Sequence, residues 1–241
     1  PAVAPCGTVD SIEREGWRGP IFNELRFGGY VLGRLWPREK VFIDGRLEVI
    51  GEAFYEQYQA IEAGRLWPAM VQRHDPNLAL IATTSRDVVL RLAQDPAWSA
   101  VDLDGASVLF LRRRPENAAA IAAAEARLAA LDRPDPGEDA PLAPRRDPPW
   151  PLSAFGPRFY PWEARGRGNA CMLLGFNRAA RHEYRRALVE SGRDEPTLAA
   201  NYASACLRTG RRDEARTWYR RALEKDPSNA LARERLADLG G

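Results

Sequence analysis

Histidine is almost missing from this chain: there are two in 241 residues, His74 and His182. Neither has a partner at metal-ligand spacing, so both read as surface residues and no zinc site is indicated. Cysteine is nearly as scarce. Three cannot all pair with one another, and no paired Cys/His spacing accompanies them, so neither a disulfide framework nor a redox or metal centre is favoured. The chain also lacks a dominant charge. With 35 basic and 33 acidic residues the net is +2, and no global field argues for nucleic acid or an acidic membrane. No apolar run reaches the roughly eighteen residues that a membrane span needs. The start at Pro1 shows no initiator Met, no charged n-region and no apolar h-region, as in an excised part of a longer protein. Phosphate loop, dinucleotide fingerprint, nucleophile elbow and zinc-helix motifs are all missing, so no catalytic residue, cofactor or metal is assigned.

What the chain does have is a self-similarity between Trp162 and Pro227. Cys171 matches Cys206, Gly175 matches Gly210, Ala180 matches Ala215, Tyr184 matches Tyr219 and Ala187 matches Ala222, always 35 residues apart. A fixed spacing of this length is the signature of stacked helix-turn-helix units. In the second unit, small Ala203 sits where two helices approach closely. Gly210 closes the first helix, Ala215 and Tyr219 face back onto it, and Pro227 ends the second. Cys171 and Cys206 fall at equivalent, buried positions. Leu231 to Leu239 reads as a capping helix that covers the open apolar end.

These residues resemble the tetratricopeptide repeat, whose period is about 34 residues. Ala203, Ala215, Tyr219, Ala222 and Pro227 match its motif best. Ala199 stands where a Trp is usual, and Gly192 replaces the closing Pro in the first copy. The resemblance implies an all-α array of two repeats plus a capping helix that binds a protein or peptide. First helices would line its groove, and Arg165, Asn169, Asn201 and Arg235 fall where family members that clamp a peptide carboxylate keep basic and amide groups. Arg suits a carboxylate and Asn a peptide backbone, although such amides are also common in repeats generally. Second helices carry Arg178, Arg181, Arg185 and Arg212, Arg216, Arg220. Trp162 to Pro227 holds 14 basic and 9 acidic residues, a local net of +5. With Glu183, Glu214 and Glu224 interspersed, that stripe reads as a solvated convex face.

The first half alternates strands and helices. Apolar runs at Ile21-Phe22, Val41–Ile43 and Leu78–Ala82 read as buried strands. Helices are expected near Thr8–Arg14, Gly28–Trp36, Ala53–Ala63, Trp67–Arg73 and after the Thr83-Thr84-Ser85 cap. Trp98–Leu103 and Ser107–Leu111 flank Asp104-Gly105, a hairpin signal. The pattern gives a three-layer α/β domain with a mostly parallel sheet and an antiparallel hairpin at one edge. Ligands of such sheets sit beyond the carboxyl ends of the strands, which supply Asn23, Glu24, Arg26, Asp44, Arg46, Thr83, Thr84, Ser85 and Arg86. Gly28-Gly29 would add free N–H groups at a helix start. The same residues also serve as turns and caps, with Arg46 paired to Asp44 or Glu24. Asp102-x-Asp104 is similar to the metal-binding Asp-x-Asp of sugar-nucleotide transferases, yet here it ends a strand at a hairpin turn.

The strings Phe22-Asn23-Glu24, Phe27-Gly28-Gly29-Tyr30, Leu35-Trp36-Pro37 and Val41-Phe42-Ile43-Asp44-Gly45-Arg46 are similar to a segment following the last membrane helix of some bacterial multi-pass proteins. Those are related to the GT-C class of polyprenyl-phosphate-sugar glycosyltransferases, and the resemblance covers Pro20 to Arg113. It implies the extracytoplasmic (periplasmic) C-terminal portion of a membrane protein whose catalytic half is absent, with its own membrane domain as a further partner. The expected domains are 1–114 (α/β), 115–132 (connecting helix with Ile121, Ala124, Leu128 and Leu131 on one stripe), 133–161 (linker) and 162–241 (repeats). The linker holds nine of the nineteen prolines, and Trp150, Phe155, Phe159 and Tyr160 suggest that it docks on a domain. The leading expectation is a non-catalytic protein-interaction scaffold that binds no nucleic acid. The alternative is an accessory part of a GT-C-type transferase, with strand-end loops contributing to substrate binding.

Overall fold

Glycine and proline punctuate the elements much as the sequence predicts. A computed structural model describes residues 4–134, 140–144 and 160–240. The chain divides into two compact units, Pro1–Ala129 and Ala130–Gly241. The linker aromatics Trp150, Phe155 and Phe159 lie outside the described residues, whereas Tyr160 packs on Trp162 with ring centroids 4.2 Å apart.

The first unit opens with α1 (Cys6–Glu15), which Gly16 ends in the left-handed conformation. The helix starts two residues earlier than the sequence predicts. Thr8 is therefore inside the first turn, with its hydroxyl bonded to Pro5 O. There follow β1 (Ile21–Asn23), α2 (Leu25–Leu35), α3 (Leu47–Ile50), α4 (Glu52–Glu62), α5 (Trp67–His74), β2 (Leu78–Ala82), α6 (Arg86–Gln94), β3 (Trp98–Leu103), β4 (Ser107–Arg112) and, after a 3-10 turn, α7 (Ala118–Leu131).

The four strands form one sheet in the order β1-β2-β4-β3. β1 runs parallel to β2, with Ile21 opposite Leu78, while β2/β4 and β3/β4 are antiparallel. The sheet is therefore mixed, not mostly parallel. The β3/β4 hairpin does lie at one edge, with β3 outermost, but β4 joins β2 antiparallel, so two of the three pairings are antiparallel. Val41–Ile43 is not a ladder strand and contributes an isolated bridge, Ile21 to Val41. The side chain of Asn23 takes the place of a neighbouring strand there. Its Oδ1 accepts from Phe42 N at 2.9 Å, and its Nδ2 donates to Ile43 O at 2.8 Å.

Strand alternation sends Leu78, Leu80 and Ala82 to one face, where they join Val9 and Ile12 of α1, Phe27, Val31 and Leu35 of α2, and Ile121 and Ala124 of α7. On the other face, Trp67 of α5 packs edge-on against Phe22 at 5.0 Å and lies 6.2 Å from Trp98. Every residue of β2 is buried, as its continuous apolar run requires. In α7, Ile121, Ala124 and Leu128 are buried but Leu131 is exposed.

The second unit contains two helical hairpins and a closing helix: α8 (Trp162–Leu174), α9 (Asn177–Ser191), α10 (Pro196–Arg208), α11 (Arg212–Lys225) and α12 (Ala230–Asp238). The start of α10 has Pro196 in its first turn and is capped by the Glu195 carboxylate, which accepts from Thr197 N and Leu198 N. Asn229 caps α12 through Ala232 N at 3.0 Å.

The 35-residue matches hold in three dimensions. Ala180, Ala215, Ala187, Ala222, Tyr219 and Cys206 are fully buried; Tyr184 and Cys171 are nearly so. Gly175 and Gly210 both adopt positive φ, +86° and +82°, at the turns between paired helices. Phe176 N bonds Cys171 O at 2.9 Å, and Arg211 N bonds Cys206 O at the same distance.

Candidate functional site

The first helices α8, α10 and α12 carry the four residues expected to hold a peptide. Arg165 is half-buried on α8, its guanidinium 5.3 Å from the Tyr160 ring centroid, and its buried Nε has no hydrogen-bond partner. Asn169, one turn on, accepts the Tyr184 hydroxyl at 2.9 Å through Oδ1, so its carbonyl side serves its own hairpin. Asn201 is half-exposed on α10. Arg235 is exposed on α12 and shares its charge with Asp238 at 3.4 Å and Glu234 at 3.7 Å. Burial raises the pKa of the Tyr219 phenol, which lies within electrostatic reach of Arg235 and Arg208.

The second helices bear out only part of the solvated face that their charge pattern suggests: Arg178, Arg212, Arg220 and Glu224 are exposed. Arg181, Glu183 and Glu214 are buried. Glu183 pairs with Arg167 at 3.0 Å and Arg186 at 3.0 Å. Glu214 accepts the Tyr202 hydroxyl at 2.6 Å and pairs with Arg211 at 3.3 Å. Tyr202 also meets Trp218 edge-on at 5.4 Å, and burial raises its phenol pKa. Arg185 donates to Ala140 O at 2.7 Å, and Leu142 bonds both Glu214 and Trp218. Sequence reasoning missed this cluster. An acid and an arginine alternating along a helix look the same whether neighbours cover them or water does.

Burial pushes the Cys171 and Cys206 thiols up to about 12, which removes thiolate character at neutral pH. Cys171 lines a pocket of about 430 Å³ together with Arg133, Arg167, Arg178, His182 and Glu183.

In the first unit the strand ends do come together, and they bind one another. Asn23 is fully buried and spends its amide on the backbone at positions 24, 42 and 43. Glu24 accepts from Ala82 N at 3.0 Å, hydrogen-bonds Ser85 and pairs with Arg26 at 3.3 Å. Its burial raises the carboxyl pKa above the ordinary value. Arg26 reaches Thr84 at 3.0 Å. Asp44 is clasped by Arg46 at 2.6 Å, and that guanidinium holds its carboxyl below the ordinary carboxylate range. Thr83 is buried and donates to Gly105 O at 3.3 Å. Ser85 precedes α6 but makes no side-chain capping bond.

Gly28-Gly29 does not open a helix. α2 begins at Leu25, which puts both glycines inside it rather than at a free N-terminus. Gly28 is required for another reason: a Cβ there would meet Ile43 O at 2.1 Å. Asp104 folds its carboxylate into the hairpin, accepting from Ala106 N and Ser107 N at 2.8 and 2.7 Å and from Thr8 N at 3.1 Å. Asp102 bonds Ser11. Among the described residues no group of three or more His, Cys, Asp or Glu is placed to hold a metal ion, and no helix is long and apolar enough to cross a membrane.

No curated protein and no solved structure matches the chain. The resemblance of Pro20–Arg113 to segments of membrane transferases therefore gains no support from them. Residues 196–239, which span α10, α11 and α12, match the tetratricopeptide repeat family model. The chain thus contains tetratricopeptide-repeat structure, which suggests a role in protein–protein interaction.

Proposed function

We propose that the chain is a non-catalytic interaction scaffold whose first unit is a three-layer α/β body and whose second unit is two tetratricopeptide repeats closed by α12. The observation that carries this reading is the equivalence of the two hairpins. Five residue pairs 35 apart share burial or turn geometry, so α8/α9 is built like the family-matched α10/α11. In this reading α8, α10 and α12 line a short groove for an extended peptide. Arg165 and Arg235 attract a carboxylate from either side, and Asn201 holds the backbone. Asn169 contributes its amide nitrogen, since its oxygen is engaged by Tyr184.

An extracytoplasmic position at a bacterial membrane, beside the chain's own membrane domain, belongs to this proposal through the Pro20–Arg113 resemblance alone. The upstream reading frame tests it: many apolar spans before Pro1 support it, and a complete soluble frame starting near residue 1 contradicts it. The binding reading is tested by calorimetry with acidic and C-terminal peptides. Arg165→Ala should weaken binding and flatten its salt dependence, because the lost contact is ionic. Asn201→Ala should weaken it with the salt slope unchanged.

A further inference from the structure

We propose that the second helices α9 and α11 carry a separate binding surface for an extended, uncharged peptide, and that residues 140–144 of the chain itself are its resident occupant. These residues, Ala140-Pro141-Leu142-Ala143-Pro144, bear no charge and adopt no helix or strand. They are nevertheless held by their main chain. Leu142 N donates to Glu214 Oε1 at 2.9 Å, Leu142 O accepts from Trp218 Nε1 at 2.8 Å, and Ala140 O accepts from Arg185 Nη1 at 2.7 Å. Gripping both the N–H and the C=O of one residue with side chains reads peptide backbone, which is how receptors hold extended ligands of varied sequence.

The receiving side is built by the repeat and not by the strap. Within the hairpin the Trp218 ring stands edge-on to Tyr202, and the Glu214 carboxylate is fixed by the Tyr202 hydroxyl and Arg211. Such preorganisation lowers the ordering cost of binding. Thirty-five residues earlier, the positions of Tyr202 and Trp218 are taken by Arg167 and Glu183, which pair with each other. The aromatic and carboxylate hands thus belong to the second hairpin. The fitting partner resembles the strap: an extended segment with one apolar residue flanked by prolines, whose restricted backbone loses little freedom on docking.

This surface shares no residue with Arg165, Asn169, Asn201 and Arg235, so its test is independent of theirs. Tethering gives the strap an effective concentration of about millimolar, and a peptide in trans competes only when the strap is weakened.

The test uses the full chain, isotopically labelled, with the Trp218 indole N–H resonance identified by its loss in Trp218→Phe. Leu142→Asp should release the strap and cut the hydrogen-exchange protection of that indole by about tenfold or more, since the acceptor carbonyl leaves. A blocked Ala-Pro-Leu-Ala-Pro peptide should then restore the protection saturably. Wild type should need about tenfold more peptide for any response, and a peptide with Asp in place of Leu should fail. Leu142→Pro, which removes the backbone N–H that Glu214 accepts, should show the same behaviour in weaker form if the Asp variant does not fold. Unchanged protection in the folded variant would overturn the proposal, and so would exposure that the peptide cannot reverse.

Discussion

Tyr219 and Ser204 face each other across the α10/α11 hairpin, hydroxyl to hydroxyl at 2.9 Å. Thirty-five residues earlier, Tyr184 and Asn169 make the same contact at 2.9 Å. In each hairpin a buried tyrosine of the second helix, tied to the first helix at one position, sets the distance between paired helices. Tyr219→Ala should therefore lose about 3–5 kcal/mol, as a fully buried aromatic does, and Tyr219→Phe about 0.5–1.5 kcal/mol for the hydrogen bond. Denaturant unfolding followed by circular dichroism measures both, and an unchanged midpoint for the Ala variant would contradict the helix register.

Gly168 and Ala203 occupy equivalent positions but are not interchangeable. A Cβ at Gly168 would lie 2.6 Å from the Tyr184 ring, so that ring must move to admit a methyl group. Gly168→Ala should cost about 1–3 kcal/mol by overpacking, despite the better helix propensity of alanine. Stabilisation in the same unfolding experiment would show that the ring is not seated there.

Cysteine reactivity should split the three thiols. Cys6 is exposed, whereas Cys171 and Cys206 are buried and pushed up to about 12. A thiol reagent at neutral pH should modify Cys6 quickly in the native protein and the other two only after unfolding. Mass spectrometry of the labelled peptides reads the split. Rapid labelling at Cys206 would mean that the second hairpin opens easily.

Glu24 gives a pH dependence. Burial raises its carboxyl pKa above the ordinary 4.5, so the folded chain retains a proton that the unfolded chain releases. Its stabilising share is fully present below 4.5 and is lost as pH rises through the folded value. Glu24→Gln keeps an acceptor for Ala82 N and cannot ionise. Its stability relative to wild type should improve with pH across that window and level off above it. A difference that stays flat with pH would place Glu24 in a solvated setting.

Much of the second unit was legible because burial there repeats: Ala180, Tyr184 and Ala187 have counterparts at Ala215, Tyr219 and Ala222, and spacing alone reveals a shared packing role. The first unit was legible in its elements but not in its pairing. Nothing in Ser107–Arg112 says that it pairs antiparallel with β2, because strand neighbours are chosen by contacts distant in sequence. Asn23 misled for a related reason. It reads as a strand-end ligand residue, yet its amide pairs with the backbone of residues 42 and 43 as a neighbouring strand would. The carboxylates of Glu183 and Glu214 look solvated on a helical wheel, and the neighbours that bury them lie 12 to 72 residues away.

The most direct test of the interaction-scaffold account is where a bound peptide sits. Amide and side-chain resonances of the labelled chain should be followed while an acidic, free-carboxylate peptide selected by calorimetry is titrated in. The account predicts saturable shifts at the Asn201 amide, Arg165 Nε and the backbone of α12 around Arg235, and none at the strand ends. Shifts gathered at Asp44, Arg46 and Thr83 with α8, α10 and α12 unmoved would contradict it.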